Sequence, residues 1–271
     1  MAETHQDNQL NSLKQALTGI LGEIDGICRR HGLRYVLAGG TALGAARHGG
    51  FIPWDDDLDI AMPREDYDRF IQIAGRELPP DLYFRCFSTD PDYYLPFGKV
   101  CRRNTSYVTE LDSELTEDNE IFVDVFPLDR ATSPDSAMLK LRATLVKGLK
   151  AVVIRKKRMH LQSTSGKVHL IQLLFAPFSS QTLMRWQEKV MRWQGKKPTE
   201  YLTNLGSNYH YVKQTMAESV YFPAREVAFE GRQFMAPGQL EDFLTRLYGN
   251  RYMELPPPEK RVTHQIRKLV V

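Results

Sequence analysis

The sequence predicts a mixed α/β (α+β) fold: a mixed β-sheet core flanked by helices and interrupted by a basic helical insertion. Three observations lead there. Short β-prone runs alternate with amphipathic helical periods over the first half of the chain. The stretch "GGFIPWDDDLDIAMPRED", Gly49 to Asp66, crowds aspartates into a loop and returns at once to apolar residues, as a loop feeding a buried strand does. Positive charge is segregated into a long helical region in the middle of the chain.

The elements follow in order. From Leu10 to His31, apolar residues fall at Leu13, Leu17, Ile20, Leu21, Ile24, Ile27 and Cys28, the spacing of one helix face, and Gly32 stands where such a helix stops. Leu33 to Ala38 reads as a short buried strand, and "GGTALGAARH" follows with a glycine turn and helix formers. "GGFIPW" is a loop, "LDIAM" a strand, and Pro63 a favoured first residue for the amphipathic helix in "PREDYDRFIQIAGREL". Further strands are predicted at Leu82–Phe87, Gly98–Arg102, Tyr107–Glu110 and Ile121–Phe126. After Pro134 the pattern turns helical, at Ser136–His160, Lys167–Phe175 and Gln181–Gln194. The last third holds a tyrosine-rich loop, Tyr201–Tyr211, a helix at Gly238–Tyr248, and the proline punctuation "ELPPPEKR". This divides the chain into a core at 1–135, a basic helical insertion or cap at 136–200, and a C-terminal part at 201–271 that completes the first.

Composition narrows the classes. Hydrophobic content of 42% and charged content of 25% are those of a globular protein, which excludes a disordered chain. Three cysteines with no CxxC pair give neither a disulfide framework nor a zinc site, so a reducing, cytoplasmic compartment is expected. The polar start lacks the basic-then-apolar run of a secretory signal, and "LIQLLFAPF" is too short to span a bilayer. Net charge is only +3, yet between Asp135 and Glu188 there are ten Lys or Arg and no acidic residue. That segment, with leucines and valines interleaved, suits either an anionic membrane surface or a helical cap with a solvated basic face. No helix-turn-helix, zinc-finger or RRM signature accompanies it, so nucleic acid is not expected as a partner.

On a strand, Asp57 and Asp59 share one face while Leu58 and Ile60 take the other. Two carboxylates roughly 7 Å apart can grip one cation. Bare, they repel and one tends to take up a proton; a divalent ion removes the repulsion. Asp55 and Asp56 also read as a plain solvated turn. A calcium loop is excluded because Ile60 stands where its sharp turn needs glycine and Pro63 breaks its later half. "GGTALG" is neither GxGxxG nor a P-loop. At a glycine turn opening a helix, however, the N–H groups of Gly39, Gly40 and Thr41 can seat a phosphate. The order of glycine pair, Asp-x-Asp strand and a later strand bearing Asp124 is the layout of a nucleotidyltransferase-like fold. Arg47, His48 and Lys99 are further candidates for phosphate contacts.

"AGGTALGAARHGGFIPWDDDLDIAMPREDYDRF", "DVFPLD" and the ending "FEGRQFMAPGQLEDFLTRLYGNRYMELPPPEKRVTH" together resemble the LicD family of bacterial phosphocholine transferases, relatives of the fukutin-type proteins. The resemblance implies transfer of phosphocholine or a similar phospho-alcohol from a CDP-alcohol, CDP-choline above all, to a hydroxyl of a cell-surface or lipid-linked glycan. Mg²⁺ or Mn²⁺ would be held by Asp57 and Asp59, with Asp124 as a third ligand or as the base for the acceptor hydroxyl. Arg261 and His264, inside the family-like ending, would close over the nucleotide. Trp54, Tyr93 and Tyr94 are aromatic candidates for a quaternary ammonium. The rivals are a nucleotidyltransferase proper and a non-catalytic nucleotide-binding assembly protein.

Overall fold

A computed structural model describes residues 2–109, 120–157, 177–193, 199–257, 259, 261 and 266–271. In chain order the elements are α1 (Ala2–His31), β1 (Val36–Leu37), α2 (Gly39–His48), β2 (Asp59–Pro63), α3 (Arg64–Glu77), β3 (Leu82–Arg85), β4 (Gly98–Arg102), β5 (Ser106–Thr109), β6 (Ile121–Ala131) and α4 (Ala137–Lys157). There follow α5 (Ser180–Met191), β7 (Tyr201–Thr203), β8 (Thr215–Ala217), α6 (Glu218–Tyr221), β9 (Arg225–Phe229), β10 (Arg232–Ala236), α7 (Leu240–Tyr248) and β11 (Ile266–Val270). The predicted helix at 167–175 lies outside the described residues.

The sheet runs β1-β2-β6-β4-β3, and β7 continues from β6 to β8. Among the described strands β2 and β6 are parallel and the other pairs are antiparallel. Helix α1 packs its predicted apolar stripe into the core, with Leu13, Leu17, Ile20, Leu21, Ile24, Ile27 and Cys28 each at most 2% exposed. The chain leaves this helix at Gly32, whose φ of +60° favours glycine.

Several boundaries differ from expectation for identifiable reasons. The predicted strand at Leu33–Ala38 shrinks to Val36–Leu37, because it is an edge strand that meets only Ala61 and Ile60. Pro63 ends β2 and caps α3 instead of opening the helix; its ψ of 141° is extended, and at the end of a ladder its missing N–H costs nothing. Strand β6 outruns its predicted end because it changes partners, from β2 up to Leu128 to β7 from Asp129. The β9–β10 hairpin turns on Glu230 and Gly231, both at positive φ, as a two-residue turn requires. Strand β11 pairs with β5 and so carries the C-terminal segment back beside the acidic loop's supports.

Helices α4 and α5 pack on each other through two apolar clusters, one including Leu139, Val146 and Met191, the other Val152, Val153, Leu183 and Met184. Arg142 is fully buried between them. Its guanidinium donates to Arg130 O at 2.9 Å, to Val190 O at 3.3 Å and to Met191 O, so it serves the last carbonyls of α5. The pair is bolted to the sheet by Arg64. That side chain, 10% exposed, makes a bidentate bond to Asp129 at 2.7 Å on both arms and a third to Glu188 at 2.9 Å. Among the described residues no helix is long and apolar enough to cross a membrane.

Removing one partner of a buried ion pair strands the other charge. Asp129→Ala is therefore expected to cost about 3–5 kcal/mol in urea denaturation, while the double change Arg64→Met with Asp129→Leu recovers most of that loss. Equal destabilisation by the single and the double variant contradicts the assignment.

Candidate active site

The parallel register places Asp59 directly beside Asp124, and the antiparallel register on the other side of β6 places Lys99 opposite Asp124. Neighbouring strands lie about 4.8 Å apart, so the two carboxylates start from adjacent anchor points. The extended chain continues back to Asp57, because Asp124 N donates to Leu58 O at 3.0 Å. Leu58 and Ile60 are at most 1% exposed, so the alternation that aims both aspartates away from the core holds.

The start of α2 abuts these carboxylates. Gly39 has φ +50°, and a Cβ there would lie 3.0 Å from Asp59 Oδ2; a Cβ on Gly40 would lie 2.8 Å from Asp55 Oδ2. Only glycines let the carboxylates come this close. The N-cap, Ala38, offers no side-chain hydrogen bond to the first-turn amides. A helix N-terminus with uncapped amides attracts negative charge, first the carboxylates and equally a phosphate. Thr41 is 2% exposed, and its Oγ1 accepts from Asp59 N–H at 2.9 Å, which clamps β2 to α2.

The acidic loop is held from three sides. Lys14 of α1 donates to Ile52 O at 3.2 Å and Pro53 O at 2.9 Å. Phe51 N donates to Glu230 Oε1 at 3.0 Å, in the β9–β10 turn. Tyr107 of β5 donates its hydroxyl to Asp56, which is only 5% exposed. Asp55 and Asp56 are thus no solvated turn: Asp56 is a buried anchor, and Asp55 joins the carboxylate cluster.

Electrostatics mark the cluster as strained. Burial, and then the Asp56 charge, pushes Asp55 up to about 6. Although Asp57 keeps an exposed edge, enclosure in the cleft and then Asp55 and Asp124 raise its carboxyl well above the ordinary range. Asp59 is raised by burial and then by Asp57 and Asp124. Burial raises Asp124 as well, opposed by Lys99 and Lys150. Among the described residues no three Asp, Glu, His or Cys side chains converge as a finished metal cage. The donor chemistry nevertheless fits a hard divalent cation: four carboxylates and no soft ligand, with Asp124 Oδ1 buried and 3.4 Å from Lys99 Nζ, a long contact. Asp55, Asp57, Asp59 and Asp124 are the residues that could hold such an ion.

The other predicted residues fall in different places. Lys99 is at the site, its ammonium 3.1 Å from the Phe122 ring centroid as well as beside Asp124. Arg47 and His48 sit at the far end of α2. Arg47 Nη1 donates to Tyr252 O at 3.1 Å and Glu254 O at 3.2 Å, and its Nε donates to His48 Nε2 at 3.0 Å, so this arm straps the C-terminal loop down. Arg261 lies over Trp54, 5.1 Å from the ring, and donates to Pro256 O. His264 lies outside the described residues. Tyr93 is buried under Arg85, and Tyr94 packs against the α4–α5 cluster. Sequence reasoning missed Lys150, Tyr209 and Tyr248. The two tyrosine hydroxyls are 2.9 Å apart, and the charges of Asp59 and Asp55 bear on both rings. The tyrosine-rich loop was visible as a pattern, but the tertiary partner that aims Tyr209 was not.

Comparison with known proteins agrees with this geometry. Residues 32–160, which hold the glycines and all four aspartates, match the LicD/FKTN/FKRP nucleotidyltransferase domain. The lipopolysaccharide cholinephosphotransferase LicD of Haemophilus influenzae is 27% identical over 257 residues, covering 93% of this chain and 94% of that protein. The human ribitol 5-phosphate transferase FKRP is 33% identical over 102 residues, 38% of this chain but only 18% of FKRP, and mouse FKRP aligns over the same extent. Residues 32–160 thus match the LicD/FKTN/FKRP nucleotidyltransferase domain, and the carboxylate-and-glycine geometry lies within that stretch.

Proposed function

We propose that this protein is a phosphotransferase that moves a phospho-alcohol, phosphocholine first among the candidates, from a CDP-alcohol to a hydroxyl of a cell-surface glycan and releases CMP. The single observation that carries the reading is Asp59 beside Asp124 in parallel register, facing the uncapped glycine start of α2. The names of the two relatives, a cholinephosphotransferase and a ribitol 5-phosphate transferase, share transfer of a phosphorylated alcohol and support the same reading.

A hard divalent ion such as Mg²⁺ or Mn²⁺, when bound, supplies the positive charge that keeps the clustered carboxylates ionised against a diphosphate. Asp57 and Asp59 would hold it, with Asp55 alongside, which leaves Asp124 as the base. The amides of Gly39 and Gly40 receive phosphate oxygens at the positive end of α2. Lys99 fixes the Asp124 carboxylate between two strands, and Asp124 accepts the proton of the acceptor hydroxyl as it attacks phosphorus. Tyr209 and Tyr248 screen the cleft from water, and their rings offer faces to a quaternary ammonium. The work of the site is positioning and charge neutralisation.

The reading also places the protein at the inner face of a membrane. Helix α4 exposes Met138, Leu141 and Leu145, three positions that share one face, within a segment that carries only positive charge. Binding to anionic liposomes that falls as salt rises is the expected outcome in a flotation assay; no binding at low salt removes this part of the proposal.

Incubation with CDP-choline and Mg²⁺ is expected to release free CMP, slowly even without acceptor. Asp57→Ala and Asp59→Ala should each lower that rate roughly 100-fold or more while leaving the unfolding temperature unchanged or higher. Full activity in either variant, or transfer of the nucleotide itself to the acceptor, contradicts the reading.

Asp55 supplies a pH test. Its folded pKa of about 6 lies above the ordinary 3.8, so its stabilising contribution is complete below pH 3.8 and is lost as pH rises through about 6. Metal-free Asp55→Asn is therefore expected to be more stable than the parent by about 1–2 kcal/mol near neutral pH and to lose that advantage below about pH 4. Saturating Mn²⁺ should abolish the difference in chemical denaturation. A gain that is independent of pH points to a cause other than charge crowding.

A further inference from the structure

We propose that the cavity of about 740 Å³ between α4 and the loop at 204–211 is the acceptor's seat and that it takes a phosphorylated saccharide. This inference rests on the phosphotransferase reading above and adds to it the chemistry of the second substrate. One wall is basic, formed by Lys140, Lys147 and Lys150; the other is aromatic, formed by Tyr209, His210 and Tyr211. Among the described residues no Asp or Glu lines the cavity. His210 and Tyr211 lie with ring centroids 4.6 Å apart and planes inclined by 34°, a tilted pair whose free ring faces suit the apolar face of a sugar ring. Asn204, Ser207 and Asn208 add the polar groups that hydroxyls need.

The basic charge of α4 thereby divides into separate uses. Lys140 and Lys147 are seven residues apart and share one helix face. Met138, Leu141 and Leu145 occupy another, the exposed apolar one. The lysines that line the cavity are therefore not those that flank the apolar stripe, and an anion within the cavity explains them better than a flat lipid surface does.

Two residues of the cavity wall, Tyr209 and Lys150, also lie within electrostatic reach of the carboxylate cluster. Tyr209 pairs with Tyr248, and the charges of Asp59 and Asp55 bear on both rings. Lys150 donates to Asn208 Oδ1 at 3.0 Å and lies within electrostatic reach of Asp124. No residue of α2 lines the cavity, so the amides of Gly39 and Gly40 remain for the diphosphate. In-line displacement needs this separation, since nucleophile and leaving group lie on opposite sides of phosphorus. The hydroxyl of the saccharide attacks phosphorus, the bond to the CMP oxygen breaks, and the hydroxyl proton passes to Asp124.

Calorimetric titration of the full chain with N-acetylglucosamine 6-phosphate and with uncharged N-acetylglucosamine tests the proposal. The sugar phosphate is expected to bind about tenfold or more tightly than the sugar, to lose that advantage in Lys140→Gln/Lys147→Gln, and to bind unchanged when CDP-choline is saturating. Both lysines are exposed on α4, and an unaltered unfolding temperature of the variant shows that the fold is intact. Equal affinity for the two sugars, unaltered affinity in the lysine variant, or displacement by CDP-choline each overturns the proposal. Absence of CMP release from CDP-choline by the parent protein overturns the phosphotransferase reading instead, because the titration does not depend on turnover.

Discussion

Repulsion among four carboxylates is the constraint around which this structure is arranged. Burial raises the proton affinity of Asp55, Asp57, Asp59 and Asp124, and neighbouring carboxylates add to it at Asp57 and Asp59. A chain selected for stability alone would separate such groups or pair each with a base. Here the bases nearby are Lys14, Lys99 and Lys150, and each has other contacts as well. The arrangement fits the proposed function, in which a cation and a diphosphate would enter the cleft together.

The surrounding scaffold resists that repulsion. The β2–β6 register fixes Asp59 and Asp124, Thr41 clamps β2 to α2, and the two glycines let helix amides approach the carboxylates. Lys14, Glu230 and Tyr107, from three remote parts of the chain, fasten the acidic loop. Such long-range tethers make the cluster rigid, and rigidity is what electrostatic preorganisation requires. The Arg64–Asp129–Glu188 bond does the same for the basic helices, so the cavity wall is positioned by the sheet that carries the aspartates.

Local information made much of this legible. The α1 stripe, the glycine turn before α2, the Asp-x-Asp strand and the helical character of α4 and α5 depend on spacing within a few residues, and spacing is visible in one sequence. The pairing of Asp59 with Asp124 was foreseeable only as a layout, because register is set between segments 65 positions apart. Asp55 and Asp56 read as solvated because their partners, Gly40 and Tyr107, come from elsewhere in the chain. Arg47 looked free to reach phosphate, since nothing local announces the carbonyls of Tyr252 and Glu254. Strands β7, β8 and β11 escaped notice because they are short or pair with distant segments, and the local β9–β10 hairpin did so because Glu230 is not a residue that announces a two-residue turn.

The central claim is that crowded, proton-bearing carboxylates exchange their protons for a divalent cation. Its most direct measurement is the number of protons released when Mn²⁺ is titrated into weakly buffered protein near pH 6, close to the raised value for Asp55. The account predicts saturable Mn²⁺ binding accompanied by net proton release that shrinks as the pH is raised well above that value. Binding without proton release at pH 6, or no binding at all, contradicts it.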